Sequence, residues 1–231
     1  MTTTHIVTGA SRGIGRETAK HLAENDLQVL ALARSEDKLN ELRDEYPGNI
    51  TAYPIDLLNT EELEGFFDHI KTNDLGVDTL INNAGLLRKD LLVDSSDEDW
   101  QLMFDIHVMA PVRLIRGLLN SFSNSAHVVN ISSMAGYQGS SKFPGMGAYC
   151  TAKGAMATAT EALATELTEY SVHCNALCIG AVQTEMLEDA FPGVQAPVSA
   201  EQMGRYVADF ALNARGLYNG QVLPVNVGDP E

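Results

Sequence analysis

Apolar and polar positions along the 231-residue chain repeat with two different periods. Short runs rich in β-branched residues, each closed by turn formers, predict strands over residues 5–8, 28–33, 50–54, 77–81, 127–133, 171–178 and 220–226. Between them, apolar residues recur every three or four positions, which predicts helices. The first follows a Gly-rich turn and runs to about Asn25. The second opens at Ser35 and stops before Pro47-Gly48. Asn59-Thr-Glu-Glu62 and Ser199-x-x-Gln202 read as capping boxes that open two more. A long helix is expected from the Ser95-Ser-Asp-Glu98 cap past Trp100 to about Leu119, and another spans about 148–170. Residues 186–198 read as a short loop. Strands alternate with helices throughout, without repeats or low-complexity linkers, so the expected fold is α/β. It is one domain over 1–231, built on one doubly wound, mostly parallel sheet.

Composition narrows the function classes. A hydrophobic share of 45% fills a sizeable core, and a net charge of −16 disfavours nucleic acid and anionic membrane as partners. Met1-Thr-Thr-Thr-His5 enters a strand without a basic or apolar leader pattern, and no run reaches the length of a membrane span, so a cytoplasmic protein is expected. Cys150, Cys174 and Cys178 lack Cys-x-x-Cys spacing and are expected as reduced thiols. Six scattered histidines form no ligand pair, so no metal is expected.

The candidate chemistry begins where the first strand ends. Gly9-Ala-Ser11-Arg12-Gly13-Ile14-Gly15 joins that strand to a helix N-terminus. Glycines permit tight turning and close approach, while free N–H groups and the helix dipole attract a pyrophosphate. The second strand ends at Arg34, where an acid would suit ribose hydroxyls and an Arg suits a 2′-phosphate. Arg12 can reach the same phosphate, so the two cations favour NADP(H) over NAD(H). Asp56-Leu57 ends the third strand, where an adenine could lie. Asn82-Asn83-Ala84-Gly85 ends the fourth with residues small enough to pass close to a cofactor.

Further along, Pro111 cannot donate to the carbonyl of His107, which predicts a kink and a freed acceptor. Ser133 closes the fifth strand, and Tyr149 and Lys153 follow on one face of the next helix. An ammonium beside a phenol eases its ionisation, so Tyr149 is expected as a proton donor and acceptor, with Ser133 steadying a carbonyl oxygen.

Together, Thr8-Gly-x-x-x-Gly-Ile-Gly15, Asn82-Asn-Ala-Gly85, Asn130-Ile-Ser-Ser133 and Tyr149-x-x-x-Lys153 resemble the classical short-chain dehydrogenase/reductase family over essentially the whole chain. The resemblance implies a seven-stranded Rossmann-like sheet and reversible hydride transfer between a nicotinamide and a carbonyl or alcohol. The cofactor half would span about 1–125 and the catalytic and substrate half about 126–231. By the same resemblance Tyr149 protonates the carbonyl oxygen, Ser133 hydrogen-bonds it, and Lys153 binds the nicotinamide ribose and lowers the Tyr149 pKa. Val182 and Thr184 would hold the carboxamide and present the B face, and Asp56, Leu57 and Asn83 would surround the adenosine.

Two positions depart from the family pattern. His107 stands where an Asn relay is usual, and Ile179-Gly180 replaces Pro-Gly. Tyr137, Phe143 and Met146, in a lengthened loop before Tyr149, are expected as pocket walls. The expected reaction is reduction of a small to medium, fairly apolar ketone. A 3-oxoacyl thioester reductase is the alternative, weakened by the acidic charge but kept open by Arg113 and Arg116. A non-catalytic NADP(H) sensor is the reading of another class, motivated by His107. The family's usual homodimer or homotetramer would form through the 100–119 and 148–170 helices.

Overall fold

The computed structural model describes residues 2–227. Its first half runs β1 (Thr2–Thr8), α1 (Gly13–Glu24), β2 (Val29–Ala33), α2 (Glu36–Glu45), β3 (Ile50–Pro54), α3 (Thr60–Thr72) and β4 (Leu75–Asn82). Its second half runs α4 (Asp97–Phe104), α5 (Ala110–Leu118), β5 (Phe122–Ser133), α6 (Gly147–Leu167), β6 (Val172–Ile179), α7 (Glu185–Ala190), α8 (Ala200–Asn213) and β7 (Val222–Val225). The strands form one parallel sheet in the order β3-β2-β1-β4-β5-β6-β7. Strand order reverses between β1 and β4, and a crevice opens there at the carboxyl ends.

Successive strand residues face opposite layers, so both faces are buried and the runs read as continuously apolar. Val7 and Val129 pack with Leu22 of α1, Leu39 of α2 and Phe210 of α8. Ile6 and Val128 pack on the other side with Phe66 of α3, Leu114 of α5 and Leu167 of α6.

Three local expectations are corrected. The long helix is broken: α4 and α5 are joined by a π-helical turn over Asp105–Met109, in which Ala110 N–H bonds the carbonyl of Asp105. Widening the turn accommodates Pro111, which has no N–H to offer a regular helix. Its cap is Ser96 with Asp99 in a capping box, one residue later than the sequence suggests. Within 186–198, expected as a loop, α7 forms because the Thr184 hydroxyl accepts the Leu187 N–H at 3.3 Å. Six residues are too few to show a helical period.

Thr8 ties the two sides of the crevice together. Its buried hydroxyl donates to the Ile81 carbonyl at 3.3 Å and accepts from Asn83 N at 3.0 Å and Ala84 N at 2.9 Å. The Asn83 side chain returns a bond from Nδ2 to the Thr8 carbonyl at 2.9 Å. Gly9 follows at φ +68°, and a Cβ there would lie 2.9 Å from both Ala84 Cα and Asn83 Nδ2. Glycine is the residue that turns the chain so tightly at this contact.

A second buried polar set lies across the far half of the sheet. His127 is fully buried, donates Nδ1–H to the Ala211 carbonyl at 2.9 Å, and accepts from Asn175 Nδ2 at 2.9 Å. Asn175 Oδ1 accepts the Gln221 N–H, which fixes the orientation of that amide. Burial pushes the His127 pKa down to about 4.

Two stability predictions follow from these contacts. Thr8→Val keeps the shape but removes the acceptor of the part-buried Ala84 N–H, while Asn83 N–H keeps the Ile81 carbonyl at 3.1 Å, so chemical denaturation should show a loss of about 1 to 3 kcal/mol. His127 binds its proton near pH 6.5 when unfolded and near 4 when folded, so its contribution is complete above 6.5 and is lost as pH falls toward 4. The slope is about 1.4 kcal/mol per pH unit within that window. Urea midpoints between pH 7.5 and 5.5 should decline more steeply for the native protein than for His127→Gln. Parallel declines would contradict this assignment.

Candidate active site

A cavity of about 940 Å³ runs along the carboxyl ends of the strands, from the Gly-rich turn to the start of α6. Its volume lies within the range of small-molecule and cofactor clefts. At one end it is lined by Gly9, Ser11, Arg12, Gly13 and Ile14, with Arg34 and Lys38 beyond them. Arg12 sits at the N-cap of α1 with an extended backbone and no side-chain cap, so the first N–H groups of the helix remain available to an anion. Gly15 does not face the cavity. A Cβ there would fall 2.4 Å from the Gly9 carbonyl oxygen, so its role is to let α1 close on the strand.

Asp56, Leu57, Asn83, Ala84 and Gly85 line the middle of the cavity. Asp56 already accepts the Leu58 N–H at 3.0 Å, and Asn83 directs its amide at Thr8 rather than into the cavity. A Cβ on Gly85 would meet His107 Cε1 at 2.4 Å, so this glycine admits the imidazole beside the cavity.

The far end gathers Ser133, Tyr149, Lys153 and His107 from β5, α6 and the π-helical turn. Two contacts place the helix against the strand. Ser132 Oγ donates to the Lys153 carbonyl at 2.8 Å, which leaves Ser133 as the hydroxyl facing the cavity. Gly136 lies so close to α6 that a Cβ would be 2.4 Å from Gly154 N and 2.5 Å from the Lys153 carbonyl carbon. Beneath them, Asn82 Nδ2 donates to Asn130 Oδ1 at 2.8 Å, and Asn130 Nδ2 donates to Thr160 at 3.0 Å. This buried amide ladder joins β4, β5 and α6 under the site. The sequence shows Asn130 as a motif residue but not its partner thirty positions on.

The electrostatics correct one expectation. Burial pushes the Tyr149 phenol up to about 12, and the Ser133 hydroxyl draws it down by less. The Lys153 ammonium does not lower it here. Its Nζ lies 5.8 Å from the centre of the Tyr149 ring and donates to the Ile131 carbonyl at 2.7 Å. Desolvation outweighs a charge at that distance and brings Lys153 itself down to about 8.

His107 is buried and meets the Tyr149 ring edge-on, with centroids 5.2 Å apart. Its pKa lies well below the usual imidazole value, first through burial and then through the Lys153 charge. The ring is therefore neutral. Nε2–H donates to the Leu86 carbonyl at 2.7 Å, and buried Nδ1 is left as an acceptor without a partner among the described residues. An orphaned acceptor beside Lys153 and Tyr149 is a place for a donor, such as a water.

Phe143 and Met146 line the cavity, while Tyr137 is not among the lining residues; its carbonyl instead accepts from Lys142 Nζ at 2.8 Å. The walls the sequence did not reveal are Leu86, Leu87, Leu187 and Phe191. Phe191 meets Phe143 edge-on at 6.1 Å and carries Lys89 Nζ 4.1 Å from its ring centre. Val182 and Thr184 also line the cavity, with the Thr184 hydroxyl engaged in capping α7.

Comparison with known proteins agrees with this geometry. Residues 3–195 match the family described as short chain dehydrogenase. The chain is 39% identical over 194 residues to dehydrogenase/reductase SDR family member 11 of Gallus gallus, covering 78% of this chain and 74% of the relative. It is 28% identical over 235 residues to 3-oxoacyl-[acyl-carrier-protein] reductase FabG of Escherichia coli K12, covering 96% and 95%. The L-sorbose reductase of Gluconobacter frateurii, solved with NADPH and L-sorbose, superposes with a TM-score of 0.86 at 23% identity over 97% of this chain and 95% of that one. A 4-hydroxyisoleucine dehydrogenase solved with NADH superposes at 0.87 with 21% identity, covering 98% of each chain. With its parallel sheet, glycine turn and Ser-Tyr-Lys end of the cavity, the chain belongs to the short-chain dehydrogenase/reductase family of oxidoreductases.

Proposed function

We propose that this protein reduces a small to medium, largely apolar ketone with NADPH. The observation that carries the reading is the meeting of Ser133, Tyr149 and Lys153 at one end of a cavity whose other end holds an open helix N-terminus and several cations. Arg12 and Arg34 would bind the 2′-phosphate, the N–H groups of Ser11 to Ile14 the pyrophosphate, and Asp56, Leu57 and Asn83 the adenosine. Lys153 would hold the nicotinamide ribose, and Val182 and Thr184 the carboxamide. Bound NADPH would supply the hydride taken up by the carbonyl carbon.

The residues of the chain then have distinct tasks. Ser133 Oγ–H donates to the substrate oxygen and aligns it. Tyr149 gives its phenolic proton to that oxygen as charge develops there. With its pKa pushed up to about 12, the phenol is fully protonated at neutral pH, which favours reduction over oxidation. His107 Nδ1 accepts a hydrogen bond from a water that returns a proton toward Tyr149 past Lys153. Because the imidazole stays neutral, this is a relay through hydrogen bonds and not a charge store.

The substrate class follows from the walls. Phe143, Met146, Leu187 and Phe191 are apolar, and the cations nearby are engaged: Arg88 pairs with Asp99, and Lys89 lies over Phe191. An uncharged ketone fits better than an acid. The relatives named for 3-oxoacyl-[acyl-carrier-protein] reduction support a thioester-linked ketone as the second reading. Arg116 is exposed on α5 and Arg113 half-buried beside it, against a net charge of −16 that would repel an acidic carrier. A homo-oligomer through α4, α5 and α6 belongs to the same proposal.

NADPH consumption with ketones and 3-oxoacyl esters tests the assignment. Tyr149→Phe should lower kcat by about a thousandfold and Ser133→Ala by about a hundredfold, with NADPH affinity little changed. Full activity in Tyr149→Phe would remove the mechanism. Reduction should be steady in mildly acidic to neutral buffer and decline as pH rises through about 8, where Lys153 loses its charge. A rate that instead climbs between pH 6 and 7 would mean His107 titrates there, contrary to its buried neutral state.

A further inference from the structure

Glu185, the first residue of α7, reaches into the phosphate end of the cavity. One carboxylate oxygen lies 3.0 Å from Arg12 Nη1 and the other 3.9 Å from Lys38 Nζ. These cations come from different elements, the Gly-rich turn and α2, and a single anion brings them together. We propose that Glu185 is a built-in occupant of the 2′-phosphate subsite, which a ribose 2′-phosphate monoester must displace, and that its displacement releases α7. The inference rests on reading the cavity as an NADP(H) site, and it names the residue that sets discrimination there.

Competition follows from charge and exposure. Arg12, Lys38 and Glu185 have side chains 50%, 47% and 55% exposed, so the ion pairs are screened and exchangeable. A phosphate monoester carries nearly two charges and three acceptor oxygens, against one charge on the carboxylate, and Arg binds it in bidentate fashion. The phosphate takes the cations, and the carboxylate left beside it is repelled. A cofactor without the 2′-phosphate makes no such demand and leaves Glu185 in place.

The connection to the substrate end is short. The Thr184 hydroxyl caps α7, and at the other end the Ala190 carbonyl accepts from Lys89 Nζ at 3.4 Å. Phe191 follows directly, under Lys89 and against Phe143. None of the residues of α7 is buried, so the helix is held at its ends and not by a core face. Releasing Glu185 loosens the end nearest the phosphate, and Met186 and Leu187, which line the cavity, move with it.

The test compares NADPH, NADH, 2′,5′-ADP and 5′-AMP binding to the native protein, Glu185→Gln and Glu185→Lys, with amide exchange followed over residues 185–190. Glu185→Gln should bind NADPH and 2′,5′-ADP about three- to tenfold more tightly, Glu185→Lys more tightly still, and NADH affinity should not change. In the native protein 2′,5′-ADP should speed exchange across 185–190, and 5′-AMP should not. A native preference for NADPH that neither substitution strengthens would overturn the role of Glu185 alone. Weaker NADH binding in Glu185→Gln would also overturn it, because the carboxylate would then serve the ribose. Equal native affinities for 2′,5′-ADP and 5′-AMP would remove both this inference and the cofactor reading beneath it.

Discussion

The hydrogen bonding of one threonine holds the cavity open in the right place. Thr8 ends β1 with a hydroxyl that donates once and accepts twice, all toward the end of β4. Neighbouring parallel strands of a doubly wound sheet part at this point because their crossovers go to opposite faces, and the parting makes the crevice. Without the Thr8 contacts, the part-buried Ala84 N–H would lose its acceptor beside the Gly-rich turn, and Asn83 N–H would keep only the Ile81 carbonyl. Gly9 and Gly15 then bring the start of α1 down onto Asn83. The position of the anion-binding helix end is thus set by packing on the next strand, and only secondarily by the turn itself.

The other end of the cavity is built by the same means. Ser132 holds the α6 backbone at Lys153, Gly136 lets the preceding loop press against it, and the Asn82–Asn130–Thr160 ladder ties the strands to the helix. These groups touch no substrate. They decide that Ser133, Tyr149 and Lys153 face one space, and they spend most of the local hydrogen-bonding capacity doing so. The exceptions are Asn82 Oδ1 within the ladder and Nδ1 of His107, which the π-helical turn carries beside Tyr149; both are without a partner among the described residues.

Much of this was legible in the sequence, where the controlling interactions are local. Strand and helix order follows from the two periods, and Gly9 to Gly15 between β1 and α1 marks the anion site. Pro111 foretold an interruption near His107, though the widened turn with which the backbone absorbs it depends on how α4 and α5 pack. Three features escaped for a common reason: they depend on contacts distant in the chain. Tyr149 and Lys153 share a helix face, yet burial governs their ionisation. Tyr137 has the character of a pocket wall, but Phe191, about fifty residues later in the sequence, takes a place there. Glu185 belongs to no motif in the sequence, and only the fold sets it against Arg12, 173 positions earlier. Burial, loop path and long-range ion pairs are tertiary properties that no short window contains.

The central claim is that this site moves a hydride to a ketone and does not merely bind the cofactor. The most direct measurement follows a deuterium label from NADPH labelled on its B face at C4 into the product, by mass spectrometry, across apolar ketones and 3-oxoacyl esters. The account predicts an alcohol carrying one deuterium at the former carbonyl carbon from the B-face label, and unlabelled alcohol when the label sits on the A face. Tight NADPH binding with no labelled alcohol from any member of the panel would contradict it and leave a protein that senses the cofactor.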